Sequence, residues 1–506
     1  MIKKKIKNIV LEEYKNDFLY KKSKSNLNIE FNRIAFIFFI FLMISIIFSI
    51  QLLHLGSLKI KEKTVKALIN KKNYRADIID RNGNYLVKSV SSIDIGISPG
   101  EVIDKKRLLI NLKWIFPNKD YFEIEKKLNK NKFFKFEKQI SLINYEKIMS
   151  LGDKSIRPEE KLTRLYPQEN LFSHIIGQID DDNNGISGLE KSFDTQLKKA
   201  TEPLQLTVDT DIQFLIREEL LKFQKIFRAK GSAAILMDVN SGDIISILSL
   251  PDFNLNKRES IDDVNYINRA TKGVYELGSV FKTFTIAAGI DEGLVEPNTE
   301  YKNLEKKLTC DKFVINEYSE KTPTDLTVEQ ILIRSGNIGS VKIAQKIGEK
   351  KFKAFLEKIG VLNKIKFDID EVGDPIPINW GKCKLATASY GHGITTTLLQ
   401  LAKGYSIITN GGFDIRPTII KKETKKDKSK KKLLNSGVSD KMNKILRKVV
   451  ANEEGTAELA NVEGYDVGGK TGTAQKSKNG KYSKKKINTF VGIFPSTKPK
   501  YTLIVM

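Results

Sequence analysis

The 506-residue chain is poor in the side chains that usually hold metals. It has three histidines (His54, His174 and His392) and two cysteines (Cys310 and Cys383), none at metal-ligand spacing. That argues against a zinc centre, and no metal and no cofactor is expected. The cysteines either pair in an oxidising compartment or stay as buried thiols, and spacing leaves both open. Acidic residues are also scarce: 61 Asp and Glu face 86 Lys and Arg, for a formal net charge of +25. Such an excess can mark a partner of opposite charge. The lysines are spread along the whole chain, however, and no basic stripe alternates with aromatics, so nucleic acid is not the expected partner. Hydrophobic residues make up 40%, which excludes global disorder. The length points to two or three domains.

Long apolar runs are absent with one exception. Ile34 to Ile50 contains no charge, and apolar character resumes at Leu52, Leu53 and Leu55. The expected transmembrane helix covers residues 34–54, enough for a hydrocarbon core about 30 Å thick. The run lies too far in, and is followed by too little small-residue sequence, for a cleaved signal peptide. Before it lies a basic tail, residues 1–33, with Lys3, Lys4, Lys5, Lys7, Lys15, Lys21, Lys22, Lys24 and Arg33. The positive-inside rule then predicts a single-pass protein with a cytoplasmic N-terminus and its remaining mass outside the cytoplasm. ATP is scarce there, and wall or membrane components are the available substrates.

Residues 57–200 alternate short β-like runs with Lys-rich helical stretches and read as a non-catalytic domain. Arg75 to Lys88 has the turn signal Asn82-Gly83 between apolar runs and predicts a hairpin. Tyr121 to Ser150 reads as helices. Residues 204–506 have a different texture. Leu206 to Phe223 predicts a helix capped near Asp209. Ala233 to Leu250 predicts two strands joined at Asn240-Ser241-Gly242, and Asn488 to Phe494 reads as a strand. The mixture predicts an α+β domain with an antiparallel sheet. Lys421 to Lys432 reads as a solvated charge run.

Three short motifs occur in order: Ser279-Val280-Phe281-Lys282, Ser335-Gly336-Asn337 and Lys470-Thr471-Gly472. This trio belongs to penicillin-binding proteins and class A β-lactamases. S-x-x-K also matches at Ser429 and Ser483, and S-x-N at Ser477 to Asn479, so order and context carry the signal. Ser279 opens an apolar helical stretch, and Lys282, three residues on, shares its face. A serine hydroxyl is a weak nucleophile that needs a base, and no histidine stands in a triad pattern. Lys282 can serve if desolvation and a neighbouring cation, Lys470, lower its pKa. Ser335 can pass a proton between the reacting nitrogen and Lys282. Asn337 offers a donor and an acceptor to a substrate amide. Lys470, Thr471, Gly472 and Thr473 read as an edge strand that pairs with an extended peptide, Gly472 leaving room for close approach. Lys470, Thr471 and Thr473 would hold a substrate carboxylate. The N–H groups of Ser279 and Thr473 are the expected oxyanion hole.

With these motifs in place, the sequence resembles a class B penicillin-binding protein. The resemblance extends over Arg75 to Gly83, Tyr166-Pro167, His174 to Gly177, Gly185 to Phe193, Asn268 to Lys282, Ser389 to Ala402, Asn410-Gly411-Gly412 and Gly468 to Gln475. Its details are most similar to the division-specific, FtsI-like branch. The resemblance implies an elongated pedestal followed by a transpeptidase domain, an antiparallel sheet between helical lobes. It implies acylation of Ser279 by a stem peptide ending in D-Ala-D-Ala, then attack by an amine of a neighbouring stem peptide. It implies acylation by β-lactams, and partnership with a membrane glycosyltransferase of the FtsW type and other divisome proteins. It places the protein in the inner membrane with a periplasmic catalytic domain. Tyr501 to Met506 reads as a core strand, and relatives usually continue with another strand and a C-terminal helix, so the chain reads as truncated, which would leave an unpaired sheet edge. The rivals are an elongation-specific class B transpeptidase, a β-lactamase or β-lactam sensor, and a silent scaffold. No Glu suits a lactamase's deacylating water, and the complete set of motif residues argues against a scaffold.

Overall fold

The computed structural model describes residues 24–57, 74–257, 264–311, 313–381, 383–422, 430–478 and 481–506. The chain divides into two units, 1–72 and 73–506. In the first, α1 (Lys24–Ser57) contains a span, Asn32–His54, long and apolar enough to cross a membrane. Its 23 residues rise about 35 Å, more than a hydrocarbon core. Side chains 32–54 are exposed throughout, as suits a lipid-facing helix. Residues 1–23 of the basic tail lie outside the described residues.

The second unit begins with a five-stranded sheet: β1 (Ile78–Ile79), β2 (Tyr85–Ile97), β3 (Phe134–Glu137), β4 (Ile156–Leu165) and β5 (Leu204–Gln205). β1 and β2 form the hairpin predicted around Asn82-Gly83. Asp80 fixes that turn by accepting from the N–H groups of Asn82 and Asn84, both at 2.8 Å. Three short helices, α2 (Lys105–Ile115), α3 (Tyr121–Asn129) and α4 (Leu142–Met149), close a separate small core with Ile95, Ile97, Leu108, Leu112, Leu128 and Ile148. Tyr121 to Ser150 is therefore not helical throughout. β3 interrupts it, because pairing with β2 gives Phe136 a buried place that a helix would not. Beneath lies a buried ionic knot. Arg75, fully buried, bonds the carboxylates of Glu190 and Asp194 (2.7 Å to the latter), and Arg164 meets Glu190 at 2.9 Å.

The second sheet is antiparallel. α5 (Thr210–Ile226) is capped by Asp209, as predicted, and precedes the hairpin β6 (Ser232–Asp238) and β7 (Ile244–Leu250). Among the helices that follow are α6 (Lys282–Asp291), α7 (Asn337–Ile347), α8 (Leu398–Thr409) and α9 (Val438–Ala451). Strands β8 (Gly468–Lys478), β9 (Lys481–Phe494) and β10 (Tyr501–Val505) complete the sheet in the order β8-β9-β10-β6-β7. Alternate residues of β6 face opposite ways. Ala234 packs with Leu220 of α5, while Ala233, Ile235 and Met237 join the main core with the other helices. Coverage on both faces explains why β6 and β7 read as uninterrupted apolar runs.

β10 is a core strand, as its sequence reads, paired with β9 on one side and β6 on the other; the unpaired edge expected from a truncation does not occur along Tyr501 to Val505. The edges of this sheet are β8 and β7. Of the Lys421 to Lys432 charge run, residues 423–429 lie outside the described residues.

Candidate active site

Ser279 lies in a single 3₁₀ turn, Gly278–Phe281, that runs directly into α6. It does not begin the α-helix itself, which starts at Lys282, but the two side chains remain one turn apart. Every residue of α6 is buried. Tyr405 of α8 donates to the Val280 carbonyl at 2.7 Å and accepts from the Thr283 hydroxyl at 2.8 Å, and its ring packs edge-on against Phe284. Thr285 donates to the Ser389 carbonyl at 2.7 Å. The turn that carries Ser279 is thus anchored to the core, while Ser279 itself is half-buried.

Strand β8 presses on this turn. A Cβ at Gly472 would lie 2.4 Å from the Leu277 carbonyl oxygen and 2.9 Å from a Val280 methyl. The absent side chain therefore serves the contact between strand and turn. Gly278 has φ +63°, and a Cβ there would meet the Thr473 carbonyl oxygen at 2.4 Å and its nitrogen at 3.3 Å. The backbone leading into Ser279 is thereby brought beside Thr473, the other expected oxyanion donor. Thr473 itself is exposed, and its hydroxyl donates to Asn488 on β9 at 3.3 Å.

Ser335 lies between both lysines. Lys282 Nζ and Lys470 Nζ each donate to Ser335 Oγ at 3.1 Å, and Lys282 also bonds the Ser335 carbonyl. Both lysines are fully buried. Burial pushes Lys282 down to about 7, with the negative charge of Glu317 pulling the other way. Burial also pushes Lys470 well below its ordinary value, and the charge of Lys282 adds to that. The sequence reading made Lys470 the cation that lowers Lys282. In the structure desolvation is the first cause for both, and the charge effect runs from Lys282 onto Lys470 and not the reverse. Lys470 Nζ also reaches the Thr456 hydroxyl at 3.3 Å and the Thr471 carbonyl at 3.1 Å, and Thr471 meets Thr456 at 3.0 Å.

Ser335 has φ +59°, in the left-handed region that only glycine enters cheaply. That conformation turns its carbonyl onto Lys282. Asn337 opens α7. Its side-chain amide donates to the Asn316 carbonyl at 2.8 Å, and the N–H groups of Asn337 and Ile338 each donate to the Glu317 carboxylate at 2.8 Å. Cys310 and Cys383 form a disulfide with Cα atoms 5.7 Å apart. It ties the hairpin Lys307–Cys310/Phe313–Asn316, just before Glu317, to the segment leading into Ser389–His392.

Glu317, Thr456 and Glu276 were missed by sequence reasoning. Glu276 accepts from Gly393 N–H at 3.0 Å and from Tyr482 OH at 3.1 Å, linking the segment before Ser279 to β9. Its position three residues before Ser279 was the available signal; Glu317 and Thr456 carried none. His392 lies between Tyr390 and Tyr482, with ring centroids 5.2 and 5.4 Å away, and burial pushes its pKa down. Among the described residues no group of His, Cys, Asp and Glu could hold a metal ion.

Comparison with known proteins agrees with this geometry. Residues 232–506 match the family described as the penicillin binding protein transpeptidase domain, and residues 70–219 match the penicillin-binding protein dimerisation domain. The probable peptidoglycan D,D-transpeptidase FtsI of Caulobacter vibrioides is 30% identical over 439 residues, 84% of this chain and 73% of the relative. The stage V sporulation protein D of Bacillus subtilis is 29% identical over 85% of this chain and 73% of its own length. The peptidoglycan D,D-transpeptidase FtsI of Escherichia coli is 26% identical over 85% of this chain and 78% of its own. A buried Lys282–Ser335–Lys470 cluster one turn from the half-buried Ser279, on a chain matched over residues 70–219 and 232–506, leads to one assignment: this chain belongs to the penicillin-binding transpeptidases, as an FtsI-like class B penicillin-binding protein.

Proposed function

We propose that this transpeptidase cross-links peptidoglycan during septal wall synthesis through an acyl-enzyme on Ser279. The observation that carries the reading is the single Ser335 hydroxyl, 3.1 Å from both Lys282 Nζ and Lys470 Nζ. In this reading Ser279 Oγ attacks the carbonyl of the penultimate D-Ala, and its proton passes to neutral Lys282. The C–N bond to the terminal D-Ala breaks, and Ser335 delivers a proton to the departing nitrogen. An amine of a neighbouring stem peptide then attacks the ester, gives up its proton by the same route and restores Ser279. The N–H groups of Ser279 and Thr473 stabilise the oxyanion in both steps, an effect worth about 3–4 kcal/mol per donor in other enzymes. Edge strand β8, with Thr471 and Thr473, pairs with the extended peptide. Lys470, buried under the strand, supports Ser335 and acts on a substrate carboxylate through Thr471. β-Lactams enter by the same first step.

Two relatives are named FtsI, which favours division over elongation. On this reading the protein is a single-pass inner-membrane protein with its N-terminus in the cytoplasm. It has domains close to 57–200 and 204–506, and it works with a membrane glycosyltransferase of the FtsW type and other divisome proteins. The test is to label membranes carrying the protein with a fluorescent penicillin, beside Ser279→Ala. Durable labelling that the substitution removes supports the reading. Labelling that survives Ser279→Ala, or that is shed within minutes, overturns it.

A further inference from the structure

The motif Ser335-Gly336-Asn337 does not hold its own shape. Ser335 occupies a left-handed conformation, and Gly336, the residue that caps α7, has no side chain to bond the first N–H groups of the helix. The missing cap arrives from 20 residues upstream. One oxygen of Glu317 accepts from Asn337 N–H and the other from Ile338 N–H, both at 2.8 Å, while the adjacent Asn316 carbonyl accepts from the Asn337 side chain. Glu317 is placed by its own N–H bond to the Lys306 carbonyl at 3.1 Å, at the end of the hairpin that the disulfide fastens to Cys383. The charged or titratable groups facing Lys282 are Lys470 from β8, His392 from the loop after Ser389, and Glu317. Glu317 is the only acid among them.

We propose that Glu317 is a positioning residue for the reaction: its carboxylate clamps the first turn of α7 so that Ser335 and Asn337 stay in register with Lys282, and it serves as the counter-charge of that lysine. The inference rests on the acyl-enzyme reading of Ser279. A carboxylate that only capped a helix would affect how much protein folds. A carboxylate that also faces the base must affect where acylation loses its rate as pH falls. The negative charge favours protonated Lys282, so it holds the acid limb of the profile at a higher pH than burial alone would set.

The experiment measures acylation by a fluorescent penicillin across pH 5 to 9 for the full chain in detergent, with wild type, Glu317→Gln and Glu317→Asp. Glu317→Gln keeps the shape but loses the charge and one acceptor. Its plateau rate should fall about tenfold, and its acid limb should move to lower pH. Glu317→Asp keeps the charge but shortens the reach, so its plateau should fall while its acid limb stays at the wild-type position. An unmoved limb in Glu317→Gln, or an equal displacement in Glu317→Asp, overturns the proposal. If Glu317→Gln fails to fold, the Asp variant decides alone: a plateau within about twofold of wild type refutes the clamp. Wild type that is not acylated, or that is acylated at a site other than Ser279, refutes the underlying reading and not this inference.

Discussion

Replacing Lys282 with Met should stabilise the protein while abolishing acylation. The amine is fully buried, and its pKa falls from an ordinary 10.5 to about 7. At pH 7 the unfolded chain binds a proton there that the folded chain only half retains. Keeping the amine buried therefore costs about 4 kcal/mol, an order-of-magnitude upper bound. Met fills nearly the same volume without a charge. Against this, the Ser335 carbonyl loses its donor, which costs about 1–3 kcal/mol; Lys470 still serves the Ser335 hydroxyl. The net gain is about 2 kcal/mol, or about 2–4 °C in melting temperature for a domain of this size. The sign with pH is fixed. The folded pKa lies below the unfolded one, so the penalty is absent above about 10.5, grows as pH falls and is complete below about 7. Near pH 9.5 the penalty has shrunk to about 1 kcal/mol and the variant should lose its advantage. Thermal melts of wild type and Lys282→Met in detergent at both pH values test this. A variant that melts lower at pH 7, or that gains equally at both, would refute desolvation as the cause of the lysine's shift.

Three further outcomes are expected. Gly472→Ala places a methyl 2.4 Å from the Leu277 carbonyl oxygen and forces β8 away from the nucleophile turn; the acylation rate should fall about 100-fold in stopped-flow measurements, and a rate within threefold of wild type would show the contact to be slack. Arg75→Leu leaves Glu190 and Asp194 short of a buried partner and should cost about 3–5 kcal/mol in denaturant unfolding, whereas Arg75→Leu combined with Glu190→Leu should recover part of that loss. Trypsin digestion of non-reduced, alkylated protein should yield a single linked peptide containing Cys310 and Cys383, and free alkylated cysteines at both positions would contradict the pairing.

Much of the outline was written in local sequence because its causes are local. The apolar run from Ile34 forms a helix that can cross a membrane whatever surrounds it. Asp209 caps α5 through its own neighbours' N–H groups, and Asn240-Ser241-Gly242 closes β6 on β7 within a few residues. The order of Ser279, Ser335 and Lys470 named the chemistry, since few reactions need that set of side chains. Where an interaction spans a long stretch of chain, local pattern was silent or wrong. Tyr121 to Ser150 has helical composition throughout, yet pairing with β2 draws out a strand. Tyr501 to Val505 reads as a core strand, but local pattern does not say which strands flank it; long-range pairing sets β9 and β6 on its two sides. Glu317 and Thr456 carry no motif and matter only because folding brings them to Asn337 and Lys470. The sequence by itself supplied the candidate reacting groups. Tertiary structure alone decided that two lysines lose their water together around one hydroxyl, because desolvation comes from what packs around an amine and not from the residues beside it in the chain.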